Sequence, residues 1–274
     1  MHIFSIENFI YYKIYFNLMK TEKKRVLITN MPSSTSLYSE SKIKVVVVPR
    51  PYVSIATLAA CCLERGIDVK VMDLDVSENP GKDMENMLAT FKPDFVCFSF
   101  STALFNESCE YAQFVREHLP SAKLVAGGVH PSVFPREVLE KSKVDICVMG
   151  EGDYVLPDLV LADDISKVGG IAYRDENNEI KVNIRRPPLD DIDKLPMPAW
   201  HLFDVKQYKM PKAIARKNPV GPIETSRGCL AGCTYCNKTV FGRAWRAKSA
   251  ERVVDEMEYM KKCGFNEIHV YDDM

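Results

Sequence analysis

The sequence predicts an α/β protein built on a doubly wound parallel sheet of Rossmann or flavodoxin type. Two observations carry this. From Arg25 onward, short β-branched runs alternate with amphipathic helical patterns. Most of the runs have continuous apolar centres, which marks strands covered on both faces by helices. A third observation divides the chain: after Ala162 the alternation stops, and a fresh βα pattern begins at Ile223.

Taken in order, the strand-like runs are Arg25–Thr29, Asp68–Asp73, Asp94–Ser99, Lys123–Ala126 and Val144–Met149. Ser54–Arg65 and Asn106–Leu119 read as helices, the first closed by Gly66 at its C-terminal cap. Lys44–Val48 fits either another strand or a long first connection. Ile171–Arg174 and Ile180–Asn183 flank Asn177-Asn178 as a small hairpin. The stretch from Pro187-Pro188 to Leu195-Pro196-Met197-Pro198 is too proline-rich for helix or strand and reads as an extended linker. Ile223–Thr225 is the next strand, followed by a cysteine loop. Ser249 then caps a helix whose apolar face is Val253, Val254, Met257 and Met260. Gly264 ends that helix and Glu267–Tyr271 is strand-like. The expected organisation is an N-terminal extension over 1–20, a sheet domain over 21–165, hairpin and linker over 166–215, and a second domain from 216 to 274.

A length of 274 residues suits roughly two domains of about 150. A 46% hydrophobic and 27% charged composition is that of ordinary globular protein. Thirty-six Lys plus Arg against 37 Asp plus Glu leave a formal charge of -1, which argues against a nucleic-acid partner. Ile3–Leu18 is interrupted by Glu7, Asn8 and Lys13. It lacks a small-residue cleavage site, so neither a membrane span nor a signal peptide is expected and a cytoplasmic location is. The N-terminal aromatics have no clean period, and Met19 is the expected initiator.

Nine cysteines, an odd number, do not make a secreted disulfide framework. Cys61, Cys62, Cys97, Cys109, Cys147 and Cys263 lie in helical or strand-like runs, as small buried or helix-face residues do. Cys229-Leu-Ala-Gly-Cys233-Thr-Tyr-Cys236 is different. Three thiolates on one short loop suit three corners of an iron–sulfur cube, with one iron left open. Zinc with a histidine is the alternative, but structural zinc usually shows paired cysteines, and His201 and His269 are distant in sequence.

The C-x3-C-x2-C spacing, the preceding Glu224-Thr-Ser-Arg-Gly-Cys229 and the aromatic Tyr235 resemble the radical S-adenosylmethionine superfamily. That resemblance implies that Cys229, Cys233 and Cys236 ligate a [4Fe-4S] cluster whose open iron chelates S-adenosylmethionine. Reduction, by a donor such as flavodoxin or ferredoxin, would cleave the sulfonium to a 5'-deoxyadenosyl radical. It also places Tyr235 beside the adenine and Asp272 and Asp273 near the methionine end of the cofactor. It makes residues 216–274 the first βα units of a partial TIM-type barrel, and so an incomplete domain. Gly242–Ser249 resembles the basic segment before the first barrel helix; a solvated basic loop is the plainer reading.

Several N-terminal stretches resemble the cobalamin-binding domain fused to many of these enzymes. They are Ser54–Arg65, Asp94–Thr102, Ala126-Gly127-Gly128-Val-His130-Pro131 and Gly150-Glu151-Gly152-Asp153, with Pro196-Met-Pro-Ala-Trp200 fitting the linker. The resemblance implies cobalamin contacts at Ser99, Ser101, Thr102, Gly127, Gly128, Gly150, Glu151 and Gly152. Ligands of such sheets bind beyond the carboxyl ends of the strands, where these residues fall. The D-x-H-x-x-G string of histidine-ligated corrinoid proteins does not occur, so a lower face without a histidine ligand is expected and His130 reads as making a local hydrogen bond. The implied activity is that of a cobalamin-dependent radical enzyme, for methyl transfer or rearrangement of an unidentified small molecule. The alternative is a non-catalytic corrinoid-binding or interaction module that retains the cluster loop.

Overall fold

In the computed structural model, residues 23–31 and 48–273 are described. The expectations for residues 1–20, for Met19 and for all but Val48 of Lys44–Val48 lie outside them. The N-terminal region runs β1 (Arg25–Asn30), α1 (Val53–Glu64), β2 (Asp68–Met72), α2 (Pro80–Phe91) and β3 (Phe95–Ser99). It continues with α3 (Phe105–His118), β4 (Lys123–Gly127), α4 (Val129–Val133), α5 (Pro135–Lys141), β5 (Ile146–Val148) and α6 (Val155–Leu161). The hairpin strands β6 (Ile171–Arg174) and β7 (Ile180–Val182) follow.

These strands form one seven-stranded sheet in the order β2-β1-β3-β4-β5-β6-β7. The first five are parallel, in the flavodoxin-like order, so strand succession reverses between β1 and β3. Register there is continuous: Asn30 pairs with Ser99, and Ser99 with Gly127, which lines up three polar or small residues along the carboxyl edge. Neighbouring strand residues face opposite sides. Leu27, Val96 and Leu124 are buried on one side with Leu88 of α2 and Val115 of α3. Val26, Ile28 and Val125 are buried on the other with Ile55 of α1 and Leu159 of α6. The same burial takes in Cys61, Cys62, Cys97 and Cys147. Desolvation pushes all four thiols up, that of Cys62 to about 12.

The sequence places the hairpin with the linker; in the structure β6 pairs antiparallel with β5 and extends the sheet. Its turn carries Asn178 at φ 61, and Asp175 Oδ1 accepts from the amides of Asn177 and Glu179. α2, bounded by an Asn79 cap and Pro80 at its first position, has a sequence signal the strand-led reading passed over.

Beyond the linker come β8 (Val220–Ile223), β9 (Ser226–Arg227), β10 (Arg246–Ala247), α7 (Ala250–Lys262) and β11 (Glu267–Val270). β8 and β11 are parallel and α7 crosses between them. Ser249 caps α7 by accepting from the Arg252 amide. Of the helix's expected apolar face, Met260 is buried and Val253 and Met257 are partly buried, but Val254 is 54% exposed. The linker is packed down. Ile192 and Leu195 bury against Cys61, and Trp200 is fully buried beside Ala56 of α1, Ile223, Met260 and Phe265.

Candidate functional site

The carboxyl edge of the sheet faces the cysteine loop across a cleft of about 1010 Å³. From the sheet side, Asn30, Ser99, Ser101 and Gly128 line it; from the other, Glu224, Cys229, Cys236, Lys238 and Asp273 do. A narrower cavity of about 110 Å³ runs under the strand ends between Ser99, Gly127, Gly150, Gly152, Leu58 of α1 and Arg227. The structure therefore brings together the predicted corrinoid-side and cluster-side residues. Four predicted residues fall outside both cavity linings: Cys233, Tyr235, Asp272 and Thr102, whose hydroxyl lies 3.2 Å from Nδ1 of His130. His130 is buried against Phe105 and Phe134, and desolvation lowers its pKa. Gly128 turns the chain at φ 95, and a Cβ there would come 2.8 Å from the Phe100 carbonyl oxygen.

The cysteine loop is rooted rather than packed. Cys229 is half-buried, while Cys233, Tyr235 and Cys236 are exposed, Tyr235 by 91%. Gly228, at φ 84, passes so close to the backbone that a Cβ would lie 2.2 Å from the Ala244 carbonyl oxygen. Asp273 accepts from the Gly228 amide at 2.9 Å. Asp272 accepts from the Thr225 amide at 2.7 Å, from the Thr225 hydroxyl and from the Ser226 amide at 3.0 Å. Burial pushes the Asp272 carboxyl up, but these donors overcome it and hold the carboxyl below its ordinary value. Both predicted cofactor carboxylates thus brace the root of the loop; Asp273 also lines the cleft.

The Cys229 thiol is held low, first by the Ala231 amide and then by the Lys238 ammonium, whose Nζ also donates to the Cys229 carbonyl at 3.1 Å. That favours the thiolate, the form that ligates metal. Among the described residues no three His, Cys, Asp or Glu side chains converge on one point.

Sequence reasoning did not pair the charged residues between the two sides. Arg227, 3% exposed, meets Asp153 with both terminal nitrogens at 2.7 and 3.2 Å and donates from Nε to Glu224 at 2.6 Å. Burial raises the Glu224 carboxyl, partly offset by Arg227. Glu151, expected at the corrinoid, is held by Arg246 at 2.7 Å and accepts from the Leu189 amide at 2.6 Å. Lys248 is likewise paired with buried Glu256 at 2.6 Å, so two basic residues of the segment are held by carboxylates while Arg243 stays exposed. The Tyr208 hydroxyl donates to Asp73 at 2.6 Å, and Asp73 in turn accepts from Asn30. Arg227 and Asp153 both lie inside the stretches quoted for the resemblance; only their pairing, across 74 residues, was illegible.

Comparison with known proteins agrees with this geometry. Residues 44–160 match the family described as B12 binding domain. An uncharacterized methyltransferase of Pyrococcus horikoshii is 30% identical over 245 residues, 86% of this chain and 51% of its own length. An anaerobic magnesium-protoporphyrin IX monomethyl ester cyclase of Rubrivivax gelatinosus is 30% identical over 208 residues, 72% of this chain and 36% of the cyclase. The chain thus spans about half, or less, of these relatives. The cobalamin-dependent S-adenosylmethionine radical enzyme OxsB, solved with aqua-cobalamin and S-adenosylmethionine, superposes at a TM-score of 0.75 with 24% identity, over 95% of this chain and 35% of OxsB. The radical methyltransferase TsrM of Kitasatospora setae, solved with cobalamin and a [4Fe-4S] cluster, gives 0.67 with 21% identity, over 92% and 48%. The chain has the mixed α/β fold of those enzymes, and residues 44–160 carry the B12 binding domain match within it.

Proposed function

We propose that this chain belongs to a cobalamin-dependent radical S-adenosylmethionine enzyme and that its cleft sets a corrinoid opposite an iron–sulfur cluster. The observation that carries the reading is the shared cleft, which places Ser99, Ser101 and Gly128 across from Cys229, Cys236 and Asp273. Cys229, Cys233 and Cys236 hold the [4Fe-4S] cluster. Ser99 and Ser101 offer hydroxyls to corrin side amides, while Gly127, Gly128, Gly150 and Gly152 let a flat ligand approach the backbone. When bound, the cluster and its S-adenosylmethionine supply a 5'-deoxyadenosyl radical and cobalamin supplies a methyl carrier. Around them, the Ala231 amide and Lys238 lower the Cys229 thiol toward the thiolate that ligates metal. Asp272 and Asp273 set the height of the loop above the cleft, and Tyr235 offers its ring to the adenine. The names of the relatives, a methyltransferase and a cyclase, favour methyl transfer or ring closure on a small molecule, with electrons from a flavodoxin- or ferredoxin-like donor.

Anaerobic reconstitution with ferrous iron, sulfide and hydroxocobalamin tests this. The expected product carries iron and sulfide in cubane stoichiometry together with one corrinoid. The Cys229→Ala, Cys233→Ala, Cys236→Ala triple variant should lose the iron and keep the corrinoid. Iron retained by the triple variant, or zinc in its place in the native chain, overturns the cluster assignment.

A further inference from the structure

The buried charges between the two sides of the cleft do something that neither side does alone. Asp153 lies three residues past Gly150 on the loop that follows β5, and Arg227 lies two residues before Cys229. Both are nearly sealed from solvent, with side-chain exposures of 7% and 3%, and they meet as a two-pronged pair at 2.7 and 3.2 Å. The Phe241 ring closes over the guanidinium, its centroid 5.2 Å away. Asp153 and Arg227 also line the narrow cavity beneath the strand ends, alongside Gly150 and Gly152.

We infer that the Asp153–Arg227 pair is a positioning link through which a corrinoid seated at the strand ends and the cysteine loop bias one another. The inference rests on the function proposed above. A planar guanidinium against a carboxylate has one good register, and in this buried setting Arg227 cannot be released to water without leaving Asp153 an uncompensated charge. A ligand that fixes the β5 loop therefore fixes Arg227, and with it the backbone that enters Cys229. The relation must be reciprocal: a cluster that fixes Cys229 alters corrinoid affinity by the same factor. Glu224 on the Nε edge keeps the guanidinium in plane with this register at 2.6 Å.

The test measures hydroxocobalamin affinity, by absorbance titration under anaerobic conditions, for cluster-loaded protein and for the cysteine triple variant. The expected native result is tighter binding by the loaded form, by about 5-fold or more, the lower end of typical site-to-site coupling. Asp153→Asn, which keeps the shape but not the charge, and Arg227→Lys, which keeps the charge but not the fork, should each bring that ratio close to one. A residue serving fold stability alone would lower the melting temperature without touching the ratio. Should Asp153→Asn fail to fold, Arg227→Lys decides. A native ratio near one, or a native-sized ratio kept by the variants, overturns the link while leaving the proposed function standing. Failure of the native chain to bind either group overturns both.

Discussion

The two walls of the cleft hold their functional groups in opposite ways. On the sheet side, Asn30, Ser99 and Gly127 stand at the ends of strands in continuous register, above layers of aliphatic side chains on both faces. On the other side, residues 230–237 are all exposed, and the loop is placed by carboxylate-to-amide bonds at its root and by the Arg227 ion pairs. The packed wall is fixed by many weak contacts, so no single side chain decides its position. The loop is fixed by a few strong ones, and each is a point of failure. A wall that takes a large, rigid ligand can be preformed; a loop that wraps a cluster has to close around it.

The sharpest way to break this contrast is at the joint. Trp200 packs edge-on against Phe203 and Phe265 and against Ala56 of α1, joining the sheet domain to the β8–α7–β11 unit. Trp200→Ala should cost about 3–5 kcal/mol in urea unfolding, falling on the C-terminal unit, with the sheet melting separately. A cost below about 1 kcal/mol with one shared transition would show that the two walls stand independently of this contact. Next comes the root of the loop. Asp272→Asn should lower stability at neutral pH by about 1–3 kcal/mol. Because the folded carboxyl is held below its unfolded value of about 3.9, its contribution is present above that pH and lost as the pH falls through the folded value. The difference between native protein and variant should therefore be full at pH 7 and shrink in acid; a pH-independent difference would assign the effect to packing. Smallest is the cap of α7: Ser249→Ala should cost about 1 kcal/mol by thermal unfolding and leave iron incorporation unchanged.

The same contrast explains what the sequence could and could not say. The strands of the sheet are continuous apolar runs, so periodicity located them to within a residue or two, and Gly66 and Ser249 marked their helix ends. Their order in the sheet is a matter of pairing between distant segments, which periodicity does not contain; hence the hairpin was legible as a hairpin, but not its pairing with β5. At the site, residue types along one loop were enough to single out Cys229, Cys233 and Cys236 as the candidate ligand set. Geometry was needed to show that Glu151 is held by Arg246, that Asp272 faces the Thr225 and Ser226 amides, and that Thr102 sits beside His130. A charged residue in a motif does not reveal its partner when that partner is 74 positions away, as Asp153 is from Arg227.

Burial of four cysteines in the sheet domain has a practical corollary for handling the protein in air. Cys61, Cys62, Cys97 and Cys147 are shielded from solvent with their thiols held protonated, so peroxide and oxygen find little thiolate there. Cys233 and Cys236 are exposed, and Cys229 beside them is held toward thiolate. Of the free thiols, Cys233 and Cys236 are the two exposed ones, so oxidative damage falls first on this loop, where sulfenic acid would condense with a neighbouring thiol. A preparation can keep its fold, and pass every test of folding, while the thiols of that loop are already gone.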